Sequence, residues 1–556
     1  MKWKDGRLTR TARGMGGPVA AVLCTLLSLA SPAAQSAQQV LPDRTSAAAD
    51  EAPASVAALF AYSRADTYQI SEARDILVPM RDGFVLTCDL YRPAQADGSP
   101  APGRFPGIVL NYTGYGRTVY AYGNDLRGFT AKGYNTIWCN TRGAQGAGGA
   151  SPAPNSVGLL SPWQPQEQID NFDLIEWFAA QPWSSGRIGQ IGTSYGGIST
   201  YMVAGRQQPP SLKAIIPIVP VTNMYRHFVY PGGIRTVGDA RGTWAQTCSD
   251  STGDPTCSSR IPEQWAAHPT YDSYWQDQTI DPASVKAATL HVHGLQDFFI
   301  EAVDAIAPVL NAREDFALLF GPWEHSVPET NPSNPVPTGV YLAWFDRWLR
   351  GDRVPRFPKV IAYQMPEASP NSNQYRSFAA WPPVRARAER LHLKADGSLD
   401  RMPSPRHDSA DRYTVPGDGT SGQLVYTTQP FARSSVVTGP VDVTLTTSFT
   451  AMDGNIIVDL HDIAPDGSAA RIGPAGYLKA SHRSSDSNPT SVVPGQSYEL
   501  KIRIPSKFWN IAEGHRLRLK VTSVDAIVAA DAPAGTVTVS TGKRPSYVDL
   551  QFVQPR

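Results

Sequence analysis

The 556-residue sequence has no apolar run of the ~20 residues that a membrane-spanning helix needs. It also lacks an excess of either charge, since 50 Lys and Arg stand against 49 Asp and Glu. That balance removes the electrostatic footprint of a nucleic acid or an acidic membrane surface as partner. Charged residues make up only 18% of the chain and hydrophobic ones 41%, with 13 Trp and 22 Tyr. Such a composition excludes long disorder and describes a folded chain. Cysteine is scarce at five residues, and none has a CxxC or Cys/His spacing, so no zinc or other metal is expected. The glycine-rich run Gly143–Gly149 lacks the Lys-Ser or Lys-Thr ending of a phosphate loop, and nothing else calls for a cofactor. There is no internal repeat. At this length a single core rarely organises the whole chain, so two or three packed units are expected.

Positive charge gathers at the start, where Lys2, Lys4, Arg7, Arg10 and Arg13 precede the apolar run Pro18–Ala30, followed by small residues through Ala37. This is the pattern of a secretory signal peptide over residues 1–37. It predicts a secreted or periplasmic protein with no stable membrane anchor, because the run is too short to span. Cys24 follows Leu23 inside the run, which argues against a lipoprotein cleavage site. Four cysteines remain for an oxidising compartment. Cys248 and Cys257 bracket CSDSTGDPTC, and a disulfide closing that loop is expected. Cys88 and Cys139 each sit in a strand-like apolar run, where a pair and two buried thiols both remain open.

After a lead segment, 38–69, the stretch Asp75–Pro93 reads as two strands joined at Arg81-Asp82-Gly83. Apolar runs at Gly107–Leu110, Tyr134–Cys139, Arg187–Ile191, Leu290–Gly294 and Phe316–Phe320 alternate with helix-length segments such as Asn171–Ala180 and Val340–Leu349. Buried runs of that kind predict a mostly parallel sheet with helices on both faces, over 70–205 and 282–351. Between them, 206–281 is rich in aromatics and is expected to form an inserted helical cap, although Leu212–Pro220 within it has strand character. From 352 to 556 the pattern changes to short alternating strands spaced by Gly, Pro, Asp and Ser turns, among them Val441–Phe449, Ile456–His461, Tyr498–Ile504 and Leu517–Thr522. That predicts a C-terminal β jelly roll.

The chemistry centres on Ile191-Gly192-Thr193-Ser194-Tyr195-Gly196-Gly197, a serine between glycines where a strand should turn into a helix. Glycines permit the strained turn that exposes a nucleophilic hydroxyl, and the helix start favours negative charge beside it. A serine needs a base, itself oriented by a carboxylate. His325 follows the strand ending at Phe320, and Asp297 follows the strand ending at Gly294. Serine, acid and base thus occur in the chain order of an α/β hydrolase, each past a strand end. His291 and His293 share a strand face and are expected in structural roles, without a third metal ligand. Glu301 and Asp304, the competing acids, fall in a helix and are expected to be solvated.

The segments GRIGQIGTSYGGIST, EWFAAQPW, HGLQDFF, GPWEHS and WFDRWLRGD resemble the cocaine-esterase and X-prolyl dipeptidyl peptidase family of α/β hydrolases. That family includes α-amino acid ester hydrolases and glutaryl-cephalosporin acylases. The resemblance runs from about residue 70 to the C-terminus and implies a hydrolase domain with a helical cap, then a jelly roll. It implies Ser194 as nucleophile, Asp297 as acid and His325 as base. It maps a hydroxyl oxyanion donor onto Tyr115, with the backbone N–H of Tyr195 as its partner. Asn140 stands in Asn140-Thr141-Arg142-Gly143 where the family has Asp, so an ion pair there is expected to be weakened or absent.

Amino acid ester hydrolases bind a substrate ammonium with carboxylates close to the site, whereas Phe298, Phe299 and Ile300 follow Asp297 here. An apolar acyl pocket is expected, shaped by Phe298, Phe299 and the cap residues Trp244 and Trp275. The substrate expected is a small ester or amide, with an X-prolyl dipeptide as the alternative. A polymer- or carbohydrate-binding protein with a vestigial site is the reading from another class, and the intact Ser, Asp and His argue against it. Association of identical chains stays open.

Overall fold

An Asp-Gly turn flanked by alternating apolar residues starts the first sheet. Strands β1 (Gln69–Pro79) and β2 (Val85–Ala94) pair antiparallel across it, with Gly83 at φ 84°. A positive φ of this size is open to glycine at little cost. The computed structural model describes residues 53–117, 128–144, 160–236, 257–298, 301–325, 337–366, 374–403, 407–528 and 531–554. The signal-peptide segment therefore lies outside the described residues.

The apolar runs become β3 (Phe105–Leu110), β4 (Asn135–Cys139), β5 (Ser184–Thr193), β6 (Leu212–Ile218), β7 (Ala288–Gly294), β8 (Phe316–Gly321) and β9 (Val360–Tyr363). These run parallel, and β10 (Tyr375–Phe378) closes the edge antiparallel, in the order β1-β2-β4-β3-β5-β6-β7-β8-β9-β10. Every residue of β4, β7 and β8 is buried, as expected where helices cover both faces. Those helices include α1 (Pro53–Phe60), α2 (Gly128–Ala131), α3 (Pro165–Ala179) and α4 (Tyr195–Met202). Pro165 opens α3, where its missing N–H costs nothing, and Leu174, Ile175 and Phe178 bury its inner face. This is the α/β-hydrolase sheet the apolar runs predict.

Two boundaries move. Residues 212–218 are β6, a central strand between β5 and β7, so the insertion follows β6 rather than beginning at 206. The run LKAIIPI is apolar and, apart from Lys213, buried, which is strand chemistry. The sheet also continues past 351, because the apolar β9 adds to β8 and carries β10 with it. Cys88 and Cys139 form a disulfide, which resolves the alternative in favour of the pair. They face each other directly on β2 and β4, and the neighbouring Asn140 N–H to Thr87 carbonyl bond makes theirs a non-hydrogen-bonded pair. Such pairs bring side chains closest. Cys248 lies outside the described residues, as does the side chain of Cys257, and with them the second expected disulfide.

The C-terminal part is antiparallel throughout. Its strands are β11 (Arg387–Leu393), β12 (Leu399–Asp400), β13 (Ala410–Val415), β14 (Gln423–Thr427), β15 (Ser435–Phe449), β16 (Asn455–Ile463), β17 (Ala469–Arg471), β18 (Gly476–Lys479), β19 (Tyr498–Ile511), β20 (Arg516–Thr522), β21 (Gly535–Ser540) and β22 (Tyr547–Val553). One sheet runs β12-β11-β22-β15-β21-β13 with β19 on β15, and the other runs β14-β20-β16-β17 with β18 on β16. Val441, Val443 and Leu445 of the first sheet and Leu517, Leu519 and Val521 of the second bury their alternate side chains in one cluster.

Asp304 corrects the expectation of a solvated helix charge. Its carboxylate accepts the backbone N–H (3.0 Å) and the hydroxyl of Ser506 on β19, fastening the helix Ala302–Ala312 to the C-terminal domain. Glu301 is half-buried at the start of the same helix, and desolvation pushes its carboxyl up to about 7. The periodicity that placed both residues on a helix could not show that this helix meets a second domain.

Candidate active site

Ser194 occupies the junction of β5 and α4 at φ 57°, ψ −116°, a backbone state that costs a non-glycine residue about 1–3 kcal/mol. Close approach fixes the surrounding glycines. A Cβ on Gly196 would lie 2.2 Å from Asn111 Oδ1, and one on Gly197 would lie 2.5 Å from the Ile218 carbonyl. The same carbonyl accepts the Ser194 N–H at 2.9 Å, and Asn111 Oδ1 accepts the Thr193 N–H at 3.2 Å. The turn is thus tied to the ends of β3 and β6.

Ser194 Oγ lies 2.7 Å from His325 Nε2, and His325 Nδ1 lies 3.0 Å from Asp297 Oδ1. These separations are within hydrogen-bond reach, so the imidazole that holds its Nδ1 proton toward Asp297 presents Nε2 as acceptor to the hydroxyl. Asp297 is 1% exposed, and its other oxygen faces His293 Nε2 at 3.6 Å. The loop carrying Asp297 is pinned by backbone bonds to the one carrying His325, from Leu295 to Gly321 at 2.8 Å and from Gln296 to Trp323 at 3.1 Å. His291 lies deeper, buried against the Tyr201 hydroxyl at 2.8 Å, and desolvation drives it well below the usual histidine range. Among the described residues no cluster of metal-ligating side chains occurs.

Tyr115 is half-buried, its ring 5.4 Å from that of Tyr195 in an edge-on arrangement. The loop reaches this place because Gly114 passes against the Tyr195 ring, where a Cβ would sit 3.0 Å away. The Tyr195 backbone N–H opens α4 directly after Ser194, and Tyr115 packs on the ring of that same residue. Phe298 lies over the base, its ring 4.5 Å from that of His325 and 6.2 Å from that of Phe228. Trp275 does not line this space. It is fully buried within the insertion, packed on Tyr225, Tyr230 and Tyr274, with its indole N–H bonded to the His268 carbonyl at 2.8 Å. A large ring in an aromatic-rich segment has its own small core to fill. Trp244 and Phe299 lie outside the described residues.

The ion pair expected to be weakened or absent beside Asn140 is present, because Arg142 pairs with carboxylates elsewhere in the chain, and Asn140 instead holds backbone. Its side-chain oxygen accepts the Arg117 N–H at 2.8 Å, while Arg142 takes both oxygens of Asp170 and also Asp82.

Sequence reasoning missed Glu167. It is 5% exposed, accepts the hydroxyls of Tyr195 and Ser199, and lies behind the residue that follows the nucleophile. Desolvation pushes its carboxyl up to about 8, against the lowering effect of those two hydroxyls. Trp163 completes the support, with its ring 4.5 Å from Tyr195 and its indole N–H on the Tyr195 carbonyl at 3.2 Å. A signal was present. Glu167 falls on the helical stripe with Asn171, Leu174, Ile175 and Phe178, and an acid on a buried stripe asks for a reason.

Comparison with known proteins agrees with this geometry. Residues 82–327 match the X-Pro dipeptidyl-peptidase (S15 family) profile, and residues 353–549 match the X-Pro dipeptidyl-peptidase C-terminal non-catalytic domain. The chain is 26% identical to a cocaine esterase of Rhodococcus sp. (strain MB1 Bresler), over 82% of this chain and 91% of that one. A CocE/NonD family hydrolase from Staphylococcus aureus has the same fold, with a TM-score of 0.72 at 20% identity, covering 87% of this chain and 94% of the other. An α-amino acid ester hydrolase superposes with a TM-score of 0.68 at 20% identity, covering 88% and 98%. With a serine, histidine and aspartate joined at the strand ends of an α/β-hydrolase sheet, and with both S15 domains in order, the chain belongs to the serine hydrolase family of cocaine esterases and X-Pro dipeptidyl peptidases.

Proposed function

We propose that this chain is an exported esterase that cleaves an ester or amide with an apolar acyl group through an acyl-enzyme on Ser194. His325 takes the Ser194 proton as Oγ attacks the carbonyl carbon, then gives it to the leaving oxygen or nitrogen as that bond breaks. Water repeats the sequence and releases the acid. Tyr115 and the Tyr195 N–H hold the oxyanion, and a single donor of this kind supplies about 3–4 kcal/mol. The observation that carries the choice of acyl group is Phe298, an apolar ring 4.5 Å from that of the base. A peptidase for X-prolyl substrates must hold a free ammonium there, and Asp297 is already committed to His325 and His293. The Rhodococcus relative, named for an ester, supports the same choice.

A panel of p-nitrophenyl esters of graded acyl size, run beside Ala-Pro-p-nitroanilide, tests this. Turnover that rises with acyl bulk and is absent for the dipeptide anilide is expected. Release of Ala-Pro with the esters left intact overturns it in favour of the dipeptidyl peptidase. Export is supported by the basic start with its short apolar run and by the Cys88–Cys139 disulfide, which belongs to oxidising compartments. Fractionation of expressing cells should find a shortened chain outside the cytoplasm, and a full-length cytoplasmic chain contradicts it.

A further inference from the structure

Well away from Ser194 in the chain, strands β13, β21 and β15 of the larger C-terminal sheet carry a polar depression of about 550 Å³. Strand register sets its floor. Arg412 stands opposite Thr538 and Thr538 opposite Ser448, while Ser540 stands opposite Ala410 two residues along. Alternation turns the hydroxyls of Thr446, Ser448, Thr538 and Ser540 outward, while the intervening Leu445, Thr447, Val537 and Val539 are buried. No hydrogen bond among the described residues uses any of these four hydroxyls.

One wall is the turn between β21 and β22, and it is built rather than loose. The Thr541 N–H bonds to the Ser409 carbonyl at 2.9 Å, and the Lys543 N–H to the His407 carbonyl at 3.0 Å. The Thr541 and Ser409 hydroxyls meet at 3.1 Å. Gly542 makes the approach possible, since a Cβ there would lie 2.1 Å from the His407 carbonyl. The turn therefore holds Lys543 and Arg544 at the rim, across from Arg412. None of these three cations forms an ion pair with a described residue. Asp408 is the one carboxylate in the lining, so the site has an uncompensated positive balance.

The chemistry of the lining selects the ligand. Three cations beside a row of unused hydroxyl groups suit carboxylates carried on a polyol. No aromatic ring lines the depression, which removes the stacking platform that a neutral sugar face prefers. Nor is there an apolar recess for peptide side chains. The volume falls in the ~300–1,000 Å³ range of small-ligand sites and far exceeds the ~30 Å³ share of one water.

We propose that this depression is a binding site for an acidic saccharide, in which Arg412, Lys543 and Arg544 take the carboxylates and the hydroxyl row takes the sugar hydroxyls. The hydrolase domain would then be tethered to a uronate-bearing polymer while Ser194 works independently.

Affinity electrophoresis of the full-length protein in native gels cast with alginate, dextran or poly-L-glutamate tests it. Alginate should retard the wild type, dextran should not, and the retardation should fade with added salt. The triple variant Arg412→Ala, Lys543→Ala, Arg544→Ala should bind alginate about tenfold more weakly, with aryl-ester turnover and Tm unchanged. Ser448→Ala with Thr538→Val keeps every charge, and should weaken alginate while leaving any poly-L-glutamate binding as it was. An absence of retardation by alginate, equal retardation of the triple variant, or equal retardation by poly-L-glutamate each overturns the proposal.

Discussion

At Ser194 the chain accepts a strained backbone so that one hydroxyl stands clear of the strand and meets His325 Nε2 at 2.7 Å. Replacing Asp297 with Asn should preserve this geometry yet lower kcat by about 10⁴, with KM little changed, because the amide favours the wrong imidazole tautomer. Steady-state kinetics on one aryl ester checks it. Glu167 makes a different prediction. Its folded pKa of about 8 lies above the ordinary 4.5, so the folded state holds a proton that the unfolded chain has released. The stability tied to this group is complete below pH 4.5 and is lost as pH rises toward 8. Glu167→Gln, which carries no charge, should flatten that decline in a series of Tm measurements from pH 5 to 9. An unchanged slope contradicts it. Ser194, Asp297 and His325 were legible because each stands in a short motif just past an apolar strand. Glu167 was not, since its meaning depends on a helix stripe folding beneath Tyr195.

Elements carry the next set of consequences. The turn after β3 brings Tyr115 beside Tyr195, and Tyr115→Phe should reduce kcat by about 10²–10³ with little effect on KM. A loss confined to KM would instead make Tyr115 a wall of the binding site. Strands β2 and β4 are joined by Cys88–Cys139, which closes a span of 51 residues. Replacing both cysteines by serine should cost about 3–4 kcal/mol in denaturant unfolding, and an unchanged midpoint contradicts a bond in the native protein. The strands themselves were readable from apolar runs. Their pairing was not, because nothing in the sequence says that Cys88 and Cys139 fall opposite each other. The cap boundary failed for a related reason: a central strand, Leu212–Ile218, lies next to an aromatic segment with its own core around Trp275.

Over the whole molecule the C-terminal domain buttresses the catalytic acid. Asp304 binds Ser506, the Trp381 indole N–H reaches the Ser506 hydroxyl at 3.0 Å, and Asn311 holds the Trp381 backbone at 2.9 and 2.7 Å. The same domain packs Gly473 so closely on the Leu295 carbonyl, two residues before Asp297, that a Cβ would come within 2.8 Å. The insertion leans on this domain too, through Arg226 to Asp486 at 2.6 Å and the Tyr271 N–H to the Asp486 carbonyl at 3.0 Å. Asp304→Ala should therefore lower Tm, with a loss of about 1–3 kcal/mol, and reduce kcat, because it frees the helix that follows the acid loop. Two domains in series were visible as a change of strand pattern. Their fastening was not, because Asp304 and Ser506 lie 202 positions apart. All of these effects converge on one hydroxyl. Intact-mass analysis after treatment with a fluorophosphonate should show a single adduct, mapped by peptide sequencing to Ser194 and absent in Ser194→Ala; an unlabelled wild type, or an equally labelled Ser194→Ala, contradicts a serine hydrolase acting through this residue.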